Sequence, residues 1–309
     1  MPNNHAFSHE ASDGARVHVR QWPATAIPAR GIIHITHGLA EHSGRYAPLA
    51  ATLTACGYHV YAHDQRGHGQ TAQTPADLGH FGDSDGWELL VADLAGLVAR
   101  ERLAHPGLPL IVLGHSMGSL VTRAFLRAQS HNVNAAILSG SSGSVSPLVH
   151  AGKLIARLER LRLGKRGRSR MINSLSFDAF NKPFRPNRTA FDWLSRDAAA
   201  VDKYIADPLC GFIATTQTWI ALLGGITGLA AFDAITRIRR DLPLYILSGA
   251  LDPVTDAGQG AEKLARDFRD ADFAGVTYRV WPGARHETLN EINRDEVIAE
   301  LVAWLDQVR

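Results

Sequence analysis

A serine between two glycines is the first position in this sequence that could do chemistry. The motif Gly114-His115-Ser116-Met117-Gly118 follows a continuous apolar run and precedes apolar residues at helical spacing. A serine on a sharp turn from a buried strand into a helix is typical of a nucleophile elbow, whose glycines avoid Cβ clashes. We therefore predict that Ser116 is a nucleophile. The five-residue motif is weak on its own, and a glycine-rich turn without chemistry is the alternative.

A serine hydroxyl needs a base within hydrogen-bond reach and an acid that orients the base. Asp252 lies in the loop after an apolar run predicted as the penultimate strand, and His286 lies in the loop after the last predicted strand. Because the carboxyl ends of parallel strands meet at one sheet edge, we expect both side chains near Ser116. Asp256 is the alternative acid, although its position favours capping the next helix. A surface location is the alternative for His286, one of 15 histidines.

Acyl transfer also needs two N–H donors aimed at the oxyanion. We expect one from Met117, which follows the nucleophile, and one from the loop after the strand at 31–36. Leu39 is the first choice in that loop and Gly38 the second. The start of the helix behind Ser116 adds a positive dipole end.

The histidines do not form a recognisable metal motif. His34 and His37 are three residues apart near a strand, which places their side chains on opposite faces. The sequence contains no H-E-x-x-H motif and no cysteine pair at ligand spacing. Neither a dinucleotide-binding G-x-G-x-x-G after the first strand nor a phosphate-binding loop is present. We therefore expect no metal and no cofactor.

These side chains depend on alternating strands and helices, which predict an α/β fold with a mostly parallel, doubly wound sheet. Strands are predicted at 17–22, 31–36, 58–63, 109–113, 135–139, 244–249 and 276–281, and the main helices at 46–56, 87–103, 119–126, 256–268 and 294–308. The strand at 17–22 is predicted to form an edge of the sheet.

The alternation stops between residues 144 and 240. This interval holds no convincing strand and is rich in large apolar residues, namely Leu148, Ile155, Phe177, Phe180, Phe184, Phe191, Trp193, Phe212, Trp219, Leu222 and Leu223. We interpret it as a helical cap inserted into the fold. The predicted division is 1–143 and 241–309 for the two parts of the core and 144–240 for the cap.

Composition limits the possible partners. The chain has 309 residues, 45% of them hydrophobic, and a net charge of +2 that gives no reason to expect nucleic acid. Cys56 and Cys210 are too few for a disulfide framework and fit a reducing compartment. The N-terminus lacks a secretory h-region, and the longest apolar run, 219–232, is too short to cross a bilayer. We predict a cytoplasmic protein; the sequence does not indicate its oligomeric state.

Taken together, the motifs resemble an α/β-hydrolase of the monoacylglycerol lipase and lysophospholipase group, which is serine aminopeptidase S33-like. The similar stretches are His37–Tyr46, Asp64–Gly69, Gly114–Gly118, Gly249–Val254 and Gly283–Glu287. The order serine, aspartate, histidine along the chain is also that of this fold. Asp207–Cys210 is similar to a cap motif of the group, whereas the start of the cap is not.

The resemblance implies a serine ester hydrolase that acts on single-chain lipid esters through an acyl-enzyme and without a cofactor. It implies Ser116 as nucleophile, His286 as base and Asp252 as the acid that orients it. The same resemblance implies Leu39 and Met117 as oxyanion donors. Monoacylglycerols or lysophospholipids are the expected substrates.

Two features of the cap bear on the substrate. Its aromatic residues either form the core of the cap or also line an acyl-chain pocket, which favours an apolar substrate. The run 153–170 carries eight basic residues against one acid, Glu159: Lys153, Arg157, Arg160, Arg162, Lys165, Arg166, Arg168 and Arg170. This run is either a solvated helix face or a surface for transient contact with anionic lipid head groups.

Two other functions stay open. An aminopeptidase of the same fold is one, although the cap shows no acidic cluster for a free amino terminus. A non-catalytic ligand-binding homologue is the other, although such proteins usually lack one of the three triad positions.

Overall fold

An eight-stranded sheet organises the chain in the computed structural model, which describes residues 5–143, 147–229 and 233–308. The strands are β1 (His5–Glu10), β2 (Arg16–Trp22), β3 (Gly31–Thr36), β4 (Tyr58–His63), β5 (Leu110–His115), β6 (Ala135–Ser139), β7 (Leu244–Gly249) and β8 (Val276–Trp281). Their spatial order is β1-β2-β4-β3-β5-β6-β7-β8. The strands from β3 to β8 run parallel, and β2 is antiparallel to both β1 and β4.

Helices cover both faces of this sheet. They are α1 (Ala47–Ala55), α2 (Gly86–Ala104), α3 (Met117–Gln129), α4 (Pro147–Leu163), α5 (Arg170–Leu175), α6 (Phe177–Phe180), α7 (Ala198–Ala206), α8 (Thr216–Leu229), α9 (Asp233–Thr236), α10 (Gln259–Asp270) and α11 (Arg294–Leu305). Residues of α2, α3 and α10 form one core with one face of the sheet, and residues of α1 and α11 form a second core on the other face. The predicted doubly wound α/β fold is confirmed.

The central strands are apolar throughout because both faces are covered. All six residues of β5 are buried; Val112 belongs to one core, and Ile111 and Leu113 belong to the other. This division follows from the two-residue period of a strand. Because β5 lies between β3 and β6, the end of β5 is in the middle of the sheet.

The prediction that 17–22 forms an edge strand was wrong. β1 pairs with β2 from His5↔Gln21 to Glu10↔Arg16 and is itself the edge. The residues of β1 are exposed or half-buried, so this strand lacks the apolar pattern that identifies the others.

Helices α4 to α9 fill the interval between β6 and β7. In the described part of this interval the β structure is limited to one isolated bridge between Arg168 and Thr215. Helix α4 packs against α8, and α8 packs against α2 and α3 of the core. The boundary predicted at residue 144 lies outside the described residues, as does Phe232, and the side chain of Leu148 is not described. The division into core and cap stays a prediction.

None of the described helices combines the length and apolar character needed to cross a membrane.

Candidate active site

Ser116 lies at the turn from β5 into α3 with a backbone φ of 51° and ψ of −120°. A positive φ at a non-glycine residue is strained and persists when the surroundings hold it. A Cβ on Gly118 would lie 2.0 Å from the Thr36 carbonyl oxygen, and one on Gly114 would lie 2.5 Å from the Gly118 carbonyl oxygen. The close packing of β3 against the start of α3 therefore explains Gly118, and the close approach of the first turn of α3 to the end of β5 explains Gly114.

Asp252 and His286 are brought together by the loops after β7 and β8. The His286 Nδ1 atom lies 2.9 Å from the Asp252 Oδ1 atom, and both side chains are buried. Because a carboxylate only accepts, Nδ1 carries the hydrogen and Nε2 keeps a lone pair. No hydrogen-bond partner reaches that Nε2 atom from the described residues. Asp252 also accepts the Val254 N–H at 2.9 Å, which fixes the carboxylate.

The His286 ring lies beside the nucleophile motif. Its centroid is 4.8 Å from the ring of His115, the neighbour of Ser116 in the chain. A Cβ on Gly140, which follows β6, would lie 2.8 Å from His286 Cε1 and 3.4 Å from His115 Cε1. Ser116, Asp252 and His286 thus all follow strands that end at the same edge of the sheet. Their catalytic roles stay a prediction.

The charges of this pair support each other. Burial lowers the pKa of His286, but the adjacent Asp252 carboxylate outweighs burial, and the pKa is raised above 6.5. Burial raises the pKa of Asp252, but the imidazole and the Val254 N–H outweigh it, and the pKa is lowered. His115 differs, because burial and the neighbouring His286 lower its pKa to about 4. A neutral His115 therefore lets His286 accept a proton without repulsion.

Asp256, the alternative acid, takes no part in this contact. It has a left-handed φ of 52° at the end of the short turn Pro253–Thr255. The expectation that it caps the next helix was also wrong, because α10 begins at Gln259 with Gly258 at the N-cap.

The loop after β3 lies against Ser116. A Cβ on Gly38 would lie 3.2 Å from Ser116 Cβ, and the Gly38 N–H donates to Glu41 Oε1 at 2.6 Å. That amide is therefore already engaged. No acceptor among the described residues takes the Leu39 N–H, and Met117 is the first residue of α3. These contacts favour Leu39 over Gly38 as the predicted oxyanion donor.

An ion-pair network beside this loop was not predicted from the sequence. The Arg45 guanidinium donates to Glu41 Oε2 at 2.7 Å and to both oxygens of Glu287 at 2.6 and 2.7 Å. Burial raises the pKa of Glu41, but Arg45, the neighbouring imidazoles and the Gly38 N–H lower it to about 2. Glu41 lies outside any helix, so its four-residue spacing from Arg45 does not by itself indicate that the two side chains pair. Glu287 is 242 residues from Arg45 in the chain, and no local pattern connects them.

The predicted cap is joined to the loop that carries His286. The Trp193 carbonyl accepts the His286 N–H at 3.3 Å, the Leu194 carbonyl accepts the Glu287 N–H at 2.7 Å, and Arg285 donates to the Ser195 carbonyl at 3.2 Å. The Trp193 ring lies 5.2 Å from the His286 ring. Phe177, Phe180 and Trp219 continue this aromatic cluster away from the base. An apolar wall therefore begins at the predicted catalytic histidine.

His42, Asp207 and Cys210 form a group whose potential metal-ligand atoms lie within 4.8 Å of one another. The Gly44 N–H donates to His42 Nδ1 at 3.2 Å, so His42 Nε2 carries the hydrogen and donates to Asp207 at 2.9 Å. That nitrogen has no lone pair for a cation, and the residues do not fit a metal site in this arrangement. His34 has other partners, Glu101 at 2.6 Å and His63 at 2.8 Å.

Comparison with known proteins gives a consistent result. The family model described as serine aminopeptidase, S33 matches residues 27–293. The monoacylglycerol lipase of Mycolicibacterium smegmatis is 28% identical over 307 residues, which cover 98% of this chain and 96% of that protein. The monoglyceride lipase of Homo sapiens is 28% identical over 304 residues, which cover 96% of this chain and 88% of that protein.

The fold has a solved counterpart. A thermostable carboxyl esterase from Bacillus coagulans superimposes with a TM-score of 0.90 at 24% identity, covering 100% of this chain and 99% of the other. Because the two sequences are only 24% identical, this structural similarity shows a shared fold and does not assign a function.

Proposed function

This chain belongs to the serine aminopeptidase S33 family, and we propose that it is a serine carboxylic ester hydrolase that cleaves monoacyl lipid esters through an acyl-enzyme intermediate. The observation that carries the proposal is the buried His286–Asp252 pair beside the strained Ser116 elbow. The relatives named monoacylglycerol and monoglyceride lipases support the substrate class. A Bacillus subtilis relative named phospholipase YtpA, 25% identical over 288 residues, supports lysophospholipids as a second choice.

The proposed acylation step uses the free lone pair of His286. Nε2 takes the Ser116 proton while Oγ attacks the ester carbonyl carbon, and the Leu39 and Met117 N–H groups bind the oxyanion. Asp252 keeps the imidazole in the required tautomer and stabilises the imidazolium. The tetrahedral intermediate collapses as His286 gives its proton to the leaving alcohol oxygen, which leaves an acyl group on Ser116.

Deacylation repeats the same steps with water. His286 takes a proton from the attacking water, the second oxyanion occupies the same N–H groups, and Ser116 leaves with the proton held by the imidazolium. The products are a fatty acid and the regenerated serine. Every proton moves through His286, so no external co-reactant besides water is required.

The reaction can be tested by labelling with a fluorophosphonate, which phosphonylates an activated serine. We expect the wild-type chain to label and to hydrolyse a monoacylglycerol, and Ser116→Ala to lose both while keeping its unfolding midpoint. Ser8→Ala, on the edge strand β1, is the matched control and should label normally. A Ser116→Ala variant that still turns over the ester would contradict the assignment of the nucleophile.

A substrate panel separates the alternatives. Monoacylglycerols and lysophospholipids of varied chain length, short-chain model esters and aminoacyl peptides should be compared at matched enzyme concentrations. Ester cleavage that rises with acyl length is expected, because the aromatic cluster beside His286 offers apolar contact. Cleavage confined to peptides would favour the aminopeptidase, and binding without turnover would favour the non-catalytic homologue.

We further propose transient contact between helix α4 and an anionic lipid surface. Leu154, Leu158 and Leu161 occupy one face of α4 and are 58%, 57% and 81% exposed. Met171 and Leu175 on α5 are also exposed. Exposed leucines at this spacing, flanked by basic residues, are typical of helices that lie on a membrane surface.

The basic run beside these leucines is only partly available for such contact. Arg162 pairs with Glu159 at 2.6 Å, Arg166 pairs with Asp77 at 2.9 Å, and Arg168 donates to the Leu78 carbonyl at 2.7 Å. Arg157 and Lys165 are exposed. The leucine face is therefore expected to contribute more than the paired arginines.

Vesicle co-sedimentation tests the surface. We expect binding to phosphatidylglycerol vesicles at low salt, and loss of binding when Leu154, Leu158 and Leu161 are changed to serine. Leu103→Ser, at an equally exposed leucine on α2, is the matched control. Replacing Arg162, Lys165 and Arg166 by acidic residues should weaken vesicle binding and reduce the dependence of binding on salt. A wild-type chain that stays in the supernatant at low salt would remove the proposal.

A cytoplasmic location is proposed on the two free cysteines, Cys56 and Cys210. Cell fractionation with a tagged chain tests it, and recovery from a secreted fraction would contradict it.

A further inference from the structure

Arg45 contacts three parts of the active-site region that are far apart in the sequence. We propose that Arg45 is a positioning residue for ester hydrolysis: its guanidinium ties the loop that carries Leu39 to the loop that carries His286. It thereby fixes the oxyanion donor relative to the base. The inference rests on the proposed function, because it concerns the rate of the Ser116 reaction.

The network is buried and its hydrogen bonds are short. The side chains of Arg45, Glu41 and Glu287 are 12%, 4% and 5% exposed. Arg45 meets both oxygens of Glu287 in the bidentate geometry that gives a carboxylate–guanidinium pair its directional specificity. A buried pair of this kind permits one arrangement of the two loops and penalises others.

Glu41 transmits the position of Arg45 to the oxyanion loop. One carboxylate oxygen of Glu41 accepts from Arg45, and the other accepts the Gly38 N–H at 2.6 Å and the Tyr46 hydroxyl at 2.9 Å. Gly38 precedes Leu39, so the peptide whose amide engages Glu41 adjoins the proposed oxyanion donor. Movement of Arg45 is thus communicated to the Leu39 N–H through one carboxylate.

Glu287 transmits the position of Arg45 to the base. It follows His286 directly, its N–H donates to the Leu194 carbonyl at 2.7 Å, and its carboxylate accepts from Asn290 at 2.9 Å besides Arg45. Glu287 is therefore held at its backbone and at its side chain. These contacts therefore also restrict the position of the adjacent His286 imidazole.

Tyr204 connects the third part, on helix α7. The Arg45 guanidinium lies over its ring at 4.8 Å, and its hydroxyl donates to the Ala40 carbonyl at 2.8 Å. Ala40 has a positive φ of 60°, which this hydrogen bond helps to hold. The predicted cap thus braces the same loop that Arg45 ties to His286.

The charges around His286 give the inference a distinctive readout. The titratable groups that face this imidazole are those of Asp252, His115, Glu287 and Glu41. Arg45 compensates part of the negative charge of Glu287 and Glu41. Removing Arg45 leaves two carboxylates uncompensated and favours the imidazolium. Neutralising Glu287 does the opposite, so the two changes should move the acid limb of activity in opposite directions.

The experiment compares Arg45→Met, Arg45→Lys and Glu287→Gln in kcat, KM and the pH profile of kcat/KM, per active site of folded protein. For Arg45→Met we expect kcat to fall by up to about 10²-fold with little change in KM, because misplaced groups cost rate rather than binding. The acid limb should move to higher pH in Arg45→Met and to lower pH in Glu287→Gln. Arg45→Lys keeps the positive charge but loses the bidentate guanidinium geometry. Its kcat should therefore lie between those of the wild type and Arg45→Met.

Arg66→Met is the matched control, since Arg66 also lies buried between two carboxylates, those of Asp13 and Asp93. It should lower the unfolding midpoint and leave kcat unchanged. Equal kcat losses in Arg66→Met and Arg45→Met, or an unshifted acid limb in both Arg45→Met and Glu287→Gln, would overturn the inference. If Arg45→Met does not fold, Glu287→Gln decides by its acid limb. A wild-type chain that fails to label at Ser116 would instead overturn the proposed function.

Discussion

At the scale of single residues, the site depends on which nitrogen of His286 carries the hydrogen. Asp252 accepts from Nδ1, so the lone pair on Nε2 is available on the other side of the ring. The same carboxylate raises the pKa of His286 against the effect of burial. Asp252 therefore sets both the tautomer and the pH range of the proposed base.

This arrangement predicts an acid limb in kcat/KM with an apparent pKa above 6.5. Neutral His286 is the base, so activity is full above its raised pKa and is lost as the pH falls through it. Asp252→Asn should move the limb to lower pH and reduce kcat by roughly 10³–10⁴-fold, because the wrong tautomer then prevails. Asp256→Asn is the control and should leave both unchanged. An Asp252→Asn variant with the wild-type limb would contradict this account.

The residues of the site differ in how well the sequence predicts them. Ser116 directly follows β5, and Asp252 and His286 lie in the loops that follow β7 and β8, so position relative to a strand end identifies them. Arg45, Glu41 and Glu287 escaped prediction because their contact depends on how two loops pack, which no local periodicity records. The metal-like group of His42 and Asp207 escaped for the same reason, since 165 residues separate its members.

At the scale of elements, apolar pattern decided what could be predicted. β3, β5 and β7 are continuous buried runs that the sequence displays directly. β1 carries the sequence His-Ala-Phe-Ser-His-Glu, is exposed or half-buried, and owes its position to hydrogen bonds with β2. Backbone pairing does not require a particular residue pattern, so an edge strand of this kind cannot be predicted from the distribution of apolar residues.

The turn between β5 and α3 yields the second prediction. Gly118→Ala places a methyl 2.0 Å from the Thr36 carbonyl oxygen, where only backbone can give way. We expect a loss of about 1–3 kcal/mol in the free energy of unfolding, together with slower fluorophosphonate labelling as Ser116 shifts. Urea unfolding and labelling rates measure the two effects.

Gly224→Ala, within α8, is the matched control. Its new Cβ would lie 3.6 Å from the Lys153 ammonium nitrogen, an ordinary contact. A helix-interior glycine replaced by alanine should gain about 0.5–1 kcal/mol. Equal stability for Gly118→Ala and the wild type would show that the elbow is not as tightly packed as described.

At the scale of the whole molecule, buried neutral histidines lie along one end of the sheet. His37, His63, His68 and His115 are all buried, and burial lowers the pKa of each, to about 3 for His68 and about 4 for His115. Below pH 6.5 these histidines bind protons in the unfolded chain, whereas in the folded chain they bind protons only at lower pH. Their stabilisation is therefore full above pH 6.5 and declines as the pH falls towards the folded values.

His68→Gln tests this linkage. His68 accepts the Ala40 N–H and donates to the Arg66 carbonyl, and glutamine can replace both contacts without titrating. Between about pH 6 and pH 4.5, the slope of the unfolding free energy against pH should fall by about 1.4 kcal/mol per pH unit, the value for one proton. Urea titrations at several pH values measure the slope, which does not depend on the absolute stability of the variant. An unchanged slope would mean that His68 titrates in the folded chain.

The order of strands in the sheet has a consequence for how activity arises. The nucleophile follows β5 in the middle of the sheet, whereas the acid and the base lie on the loops after β7 and β8 at one border of the sheet. A chain in which β7 and β8 are not packed onto the sheet would lack the acid and the base beside Ser116. Such a chain could not hydrolyse lipid esters. Turnover after dilution from denaturant should therefore recover no earlier than the packing of β7 and β8 onto the sheet.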